Sequence, residues 1–344
     1  MTEKQYGGAT GRGTDKTQRV SSDKLAVRKV KGVVSKEPGF LTEDNSSSED
    51  KIRYESHIKA GKILSEVAKY ARTIIKKDML LLEIANKMEE KMVELGAKPA
   101  FPTCLSINEI AAHDTPSYND ERKAHGLLKV DFGTHIDGYA ADTAFSLDLD
   151  GSEENKKIIE ASEKAVQKAI EKISPGATLS EVGKEIENAI KSLSLNPIIN
   201  LCGHSVERYV LHAGISIPNC ENSSNFKIPE GVYAIEPFAT PGMGQVRDGK
   251  PSGIYKLEKE GQVRDPFARE VLSYIVEEYQ TLPFCSRWIQ KKFGTRGLLA
   301  LKRIEDAKIL RSYPQLIEVS GKKVSQREHT IIVRNNQKIV ITNQ

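Results

Sequence analysis

Residues 127–149 read LLKVDFGTHIDGYAADTAFSLDL. Apolar and polar residues alternate on both sides of Asp137-Gly138, and Asp-Gly between alternating runs is the strongest short-range signal for a β-hairpin. A two-residue turn there sets Asp131 opposite Ala144. Asp142 then lies two positions away on the same face, about 7–8 Å from Asp131 between Cα atoms. Aspartate is depleted in strands. Each of these two sits among apolar or small residues, in KVDFG and YAADTAF. Two carboxylates on one buried face repel and lack water, and a cation removes both problems. A lone pair of aspartates fits a solvated edge or a turn better than a metal site, so the case rests on further residues.

Three more segments supply them. In VYAIEPFA (232–239), Glu236 shares an apolar strand face with Val232, Ala234 and Phe238. In SQREHTIIV, Glu328 opens an apolar strand. His204 stands beside Gly203 in NLCGHSVERYVLHAG, where an imidazole can approach a ligand closely. Four carboxylates and one imidazole suit a pair of divalent ions such as Co, Mn, Fe or Zn. The sequence contains no HExxH segment, which disfavours a single zinc ion held on one helix. His113 and His212 lie near these segments, whereas His57, His125, His135 and His329 are given no role.

Working outward, residues 53–76 place Ile58, Leu64, Val67, Ala68, Ala71, Ile74 and Ile75 at helical spacing, and a second helix over about 79–95 ends at Gly96. The pair recurs at 153–173 and 178–193. A shift of 98 positions aligns Ala71 with Ala169, Ile75 with Ile173, Leu81 with Leu179, Glu83 with Glu181 and Ile84 with Val182. Two similar α+β halves follow, with a ligand site expected between them. The roughly 90 residues between the two late strands hold helical segments around 265–279 and 297–311, and read as a small helical insertion spanning about 248–312. Its end is basic, with Lys291, Lys292, Arg296, Lys302, Arg303, Lys308 and Arg311.

Composition excludes several classes. No run of 18 apolar residues marks a membrane span, and the first residues, MTEKQYGGATGRGTDKTQ, lack the apolar core of a secretory signal. The four cysteines, Cys104, Cys202, Cys220 and Cys285, form no CxxC pair, so a reducing cytosol fits. A net charge of +4 does not by itself imply nucleic acid. Residues 1–50 are poor in large apolar groups and are expected to form a disordered polar tail ahead of a catalytic domain over 51–344. Residues 1–36 carry nine Lys and Arg, a solvated tail or a basic arm able to touch RNA.

From about residue 52 to 340 the chain resembles the type II methionine aminopeptidases in their archaeal form, within the pita-bread metallopeptidases. The likeness rests on FPTCLSINEIAAHDTP, VDFGTHIDGYAADTAF, NLCGHSVERYVLHAGISIPN, GVYAIEPFAT and EHTIIV, in that order and spacing. It implies an α+β pita-bread fold with pseudo-twofold halves and a winged-helix-like insertion. It implies that Asp131, Asp142, His204, Glu236 and Glu328 hold two metal ions, with Asp131 bidentate and Asp142 and Glu328 bridging. It places His113 and His212 on the substrate, Phe101, Leu211 and His113 around the methionine side chain, and Glu236 as proton shuttle. The expected activity is removal of the initiator methionine from nascent chains by a metal-bridging hydroxide. The expected setting is a cytoplasmic monomer, met by nascent chains and by the ribosome through the tail or insertion. The long tail and Cys202 depart from the family pattern. An X-Pro dipeptidase or aminopeptidase would share the ligands but carry a large extra amino-terminal domain, and non-catalytic ribosome-associated relatives would lack some of them.

Overall fold

The structure is a computed structural model and describes residues 48–343. The expected tail falls outside the described residues except for Ser48–Asp50, which form the first turn of a helix. That helix, α1 (Ser48–Ile74), is followed by α2 (Leu81–Glu94), β1 (Lys98–Ile107), β2 (Ile110–Ala112), β3 (Leu127–Ile136) and β4 (Tyr139–Asp148). The second helix pair is α3 (Glu153–Lys172) and α4 (Leu179–Lys191), followed by β5 (Asn196–Pro197), β6 (Cys202–Ser205), β7 (Ser216–Pro218), β8 (Gly231–Ile235) and β9 (Phe238–Thr240). Next come β10 (Val246–Leu257), α5 (Pro266–Glu278), β11 (Phe284–Cys285), α6 (Ser286–Asp306) and β12 (Leu310–Glu318). The chain closes with β13 (Ser325–Gln326), β14 (Glu328–Arg334) and β15 (Gln337–Val340).

One eight-stranded sheet runs β1-β3-β4-β14-β8-β6-β7, with β15 beside β14. The two expected halves meet where β4 pairs β14 antiparallel, at Ala144–Glu328 and Thr143–His329. Helices α1 and α2 cover the first half, and Leu64, Ala71, Leu81, Ile84 and Met88 are buried with Phe132 and Val130. Helices α3 and α4 cover the second, where Ile158, Ala169, Val182 and Ile186 pack on Tyr233 and Ile331. The aligned Ala71 and Ala169 are both fully buried, as a shared helix–sheet contact requires. Local chemistry starts these helices: Thr178 and Glu181 form a reciprocal capping box on α4, and Asp265 caps α5 with Pro266 in its first turn.

Strands β11, β10 and β12 of the insertion form a second sheet with β2 of the first half, and the insertion has its own core, in which Ala268, Val271 and Ile275 of α5 meet Ile289, Ala300 and Ile304 of α6. Here the expected helix over 297–311 differs from the structure. It begins at Ser286, is broken at Gly294 (φ 65°, ψ −163°), and ends at Asp306. Glycine adopts that backbone without steric cost, so two short helical pieces replace one. Arg287 of α6 is buried and bonds Glu89 of α2 through both terminal nitrogens at 2.8 Å, while Trp288 Nε1 donates to the same carboxylate at 2.7 Å. That cluster ties α6 to the first half.

Candidate metal centre

The hairpin takes the expected register. Asp131 pairs Ala144 and Asp142 pairs Gly133, so both carboxylates share one face as diagonal neighbours. Asp137 and Gly138 have φ of 50° and 87°, the left-handed pair of a type I′ turn. A Cβ on Gly138 would overlap the Tyr209 ring, and Tyr209 N–H donates to Gly138 O at 2.8 Å. The turn thus holds the loop that carries Leu211 and His212.

Sheet register then gathers the other ligands. Ala144 has Asp131 on one side and Glu328 on the other. His329 pairs Ile235, and continuing that register sets Glu236 beside Glu328. His204 pairs Ala234, which alternates onto the same face as Glu236. Gly203 makes this approach possible, because a Cβ there would overlap Ala234 O. All five expected ligands therefore project from one face. His204 Nε2 lies 3.6 Å from Asp142 Oδ2 and 3.9 Å from Glu236 Oε1. Ligand atoms of Asp142, His204 and Glu328 lie within 4.8 Å of one another.

The backbone under the ligands is pinned. The Thr330 hydroxyl accepts from Asp142 N–H and donates to Asp142 O, both at 2.7 Å, and Thr143 Oγ1 donates to Glu328 O at 2.8 Å. Gln326 is the functional residue that the sequence reading missed. Its buried Nε2 donates to Asp131 Oδ2 at 3.2 Å and Glu236 Oε2 at 3.3 Å. The usable signal was its place two positions before Glu328.

A cavity of about 250 Å³ opens on this face. Phe101, His113, Leu211 and His212 line it together with all five ligands, so the sequence-predicted site residues share one space. Cys104, Cys202, Ile254, Tyr313 and Leu316 line it too. His113 sits at φ 61°, a costly backbone for a residue other than glycine and one that clusters at functional sites. Its Nδ1 is 3.3 Å from Pro314 O. The carbonyl can only accept, so Nδ1 carries the proton and Nε2 keeps a lone pair. Burial lowers His113 to about 4, so it is neutral at pH 7. His212 stands at the open side of the cavity, its ring packed edge-on against His204 at 4.4 Å between centroids, and the cavity wall and His204 both lower its pKa.

The carboxylates shift the other way. Burial raises Asp131 to about 7, against the opposing Gln326 hydrogen bond. Asp142, Glu236 and Glu328 are held well above their usual range, first by burial and then by neighbouring carboxylates, Asp131 among them. Asp142 Oδ1 and Glu328 Oε1 are buried without a hydrogen-bond partner among the described residues. Clustered acids and orphaned acceptors are what a divalent cation relieves, and the oxygen-rich donor set with one nitrogen fits such an ion.

The sequence profile of metallopeptidase family M24 matches residues 55–271, well over half of the chain. The chain belongs to metallopeptidase family M24. This M24 chain is 47% identical over 290 residues to the methionine aminopeptidase of Pyrococcus abyssi, covering 83% of this chain and 98% of that one. It is 45% identical over 286 residues to that of Methanocaldococcus jannaschii, covering 82% and 96%. Among solved structures it is similar to a thermophilic Arx1, with TM-score 0.74, 14% identity and coverage of 86% and 91%. It is also similar to a methionine aminopeptidase from Thermotoga maritima, with TM-score 0.62, 22% identity and coverage of 85% and 97%. These structures share the M24 pita-bread fold. An M24 metallopeptidase uses divalent metal, and Asp142, His204 and Glu328 form a buried group able to hold it.

Proposed function

We infer that the chain is a methionine aminopeptidase that removes the initiator methionine from nascent proteins and peptides. The observation that carries this reading is the convergence of four carboxylates and His204 on one sheet face, in one cavity with His113 and His212. Asp131, Asp142, His204, Glu236 and Glu328 would hold two divalent ions, Co, Mn, Fe or Zn. Bound there, the ions supply Lewis acidity and a water acidic enough to ionise near neutral pH. The protein does the rest. Phe101, Leu211 and the face of His113 enclose the methionine side chain. His113 Nε2, with its lone pair, accepts from the scissile amide N–H. Neutral His212 donates toward the carbonyl oxygen as charge builds there. Glu236 Oε2 is engaged by Gln326, which leaves Oε1 to carry a proton from water to the leaving amine.

An X-Pro peptidase would share the ligands. However, the chain covers only 64% of a prolidase from Pyrococcus furiosus, against 98% of the P. abyssi methionine aminopeptidase. A non-catalytic role fits poorly with five ligands in place. The second substrate residue is a small one, the setting is cytoplasmic and the protein acts as a monomer. No described helix is long and apolar enough to cross a membrane. Ribosome contact through the basic residues of 1–36, or through the basic end of the insertion, accompanies the activity. Cosedimentation with ribosomes that survives deletion of residues 1–47 unchanged would remove the tail from that role.

The deciding assay measures methionine release from a Met-Gly peptide by protein stripped of metal and resupplied with Mn, Co, Fe or Zn, beside Asp142→Asn. Release is expected to depend on added metal and to fall at least about a hundredfold in the variant, since even outer-shell changes cost 10–100-fold. Well-folded protein inactive with every metal would overturn the reading.

A further inference from the structure

Strands β10 and β12 put two cations directly opposite each other. Ile254 pairs Tyr313, and the next pair on the same face is Lys256 with Arg311. The other face is occupied, because Tyr255 turns into the helical core of the insertion and stacks on Phe284 at 6.1 Å. Ile254 and Tyr313 line the metal cavity, so Lys256 and Arg311 stand one step further along the cavity-facing side. Arg311 is exposed and Lys256 half-buried. Lys256 forms no ion pair among the described residues. The pair is linked to the reaction site through aromatic rings. The Arg311 guanidinium lies 5.8 Å from the Tyr313 ring centre, which lies 5.4 Å from that of His113.

We propose that Lys256 and Arg311 bind an acidic side chain at the third or fourth residue of the peptide substrate, making the enzyme selective for acidic sequences beyond the cleaved bond. The proposal rests on the aminopeptidase reading above. Its length scale follows from strand geometry: two residues of extended chain advance about 7 Å, the same step that separates Tyr313 from Arg311 along β12. A peptide whose first residue fills the cavity and whose chain leaves past Tyr313 therefore brings its third or fourth side chain to the cation pair.

The test compares Met-Ala-Xaa-Ala-Ala and Met-Ala-Ala-Xaa-Ala amides, with Xaa Glu, Gln or Lys, cleaved by metal-loaded protein and by the Lys256→Glu/Arg311→Glu double variant. Expected kcat/KM falls in the order Glu, Gln, Lys, with a Glu-to-Lys ratio of about three- to tenfold, in keeping with partly exposed ion pairs. The ratio should shrink at about 1 M salt, where screening acts within about 3 Å, and invert in the double variant. Because it is taken within each protein, a general loss of activity does not enter it. A ratio of one in the native protein, or the same ratio in both proteins, overturns the proposal. Failure to cleave the Gln peptides would instead remove the aminopeptidase reading. Anisotropy of dye-labelled Glu and Lys peptides on metal-free protein then decides the cation pair independently, and equal affinities would sink it.

Discussion

Gly203 and Gln326 do opposite jobs around one set of ligands. Gly203 contributes by having no side chain, which lets β6 lie against β8 so that His204 meets the carboxylates. Gln326 contributes an amide that holds Asp131 and Glu236 in fixed relation. Replacing it with leucine should lower metal affinity about 10–100-fold, the usual cost of losing an outer-shell partner, as measured by competition with a coloured chelator. Undiminished affinity would mean that Gln326 does not orient the ligands. The candidate ligands stood out in the sequence because a carboxylate in an apolar strand is anomalous on sight. An uncharged amide is not, and Gln326 acquires meaning only through partners 90 and 195 residues away.

At the scale of elements, local signals were readable and long-range ones were not. The hairpin is encoded within its own residues, since Asp137-Gly138 fixes turn, register and face together. The helix pairs declared themselves by periodicity. Strand β1 is different: its pairing with β3 slips between Phe101 and Cys104. At that slip Thr103 N–H donates to Glu89 Oε1 at 3.2 Å, and Phe101 and Cys104 line the cavity. The Glu89–Arg287–Trp288 cluster thus supports the bulge that aims two wall residues, and nothing in the sequence joins positions 198 residues apart. Arg287→Ala leaves Glu89 buried and unpaired, so it should cost about 3–5 kcal/mol in urea unfolding. Glu89→Leu combined with Arg287→Leu should cost clearly less than Arg287→Ala. A single substitution costing under about 1 kcal/mol would show the pair to be replaceable by water.

For the whole molecule, the acidic centre governs stability against pH. Burial raises Asp131 to about 7 and holds Asp142, Glu236 and Glu328 well above their usual range. The metal-free native state therefore binds more protons than the unfolded chain above pH 4, and stability falls as pH rises through these values. The buried histidines act oppositely, since His57, His113, His135 and His204 are lowered from 6.5 to about 4. Unfolded histidines are half protonated at about 6.5 and finish titrating near about 8, so up to there they offset the carboxylates. Divalent metal needs the carboxylates ionised, so the melting-temperature gain it gives should grow between about pH 6 and 8, with protons released on binding. A gain that does not grow with pH over that window would contradict the carboxyl shifts.

The Arg287 contact also fixes how the molecule comes apart on heating. If the inserted helices loosened while the sheet stayed native, Glu89 would face its buried strand without its cation. That partly open species is therefore penalised, and insertion and catalytic body melt together. The heat absorbed should appear as one peak whose calorimetric and van't Hoff enthalpies agree.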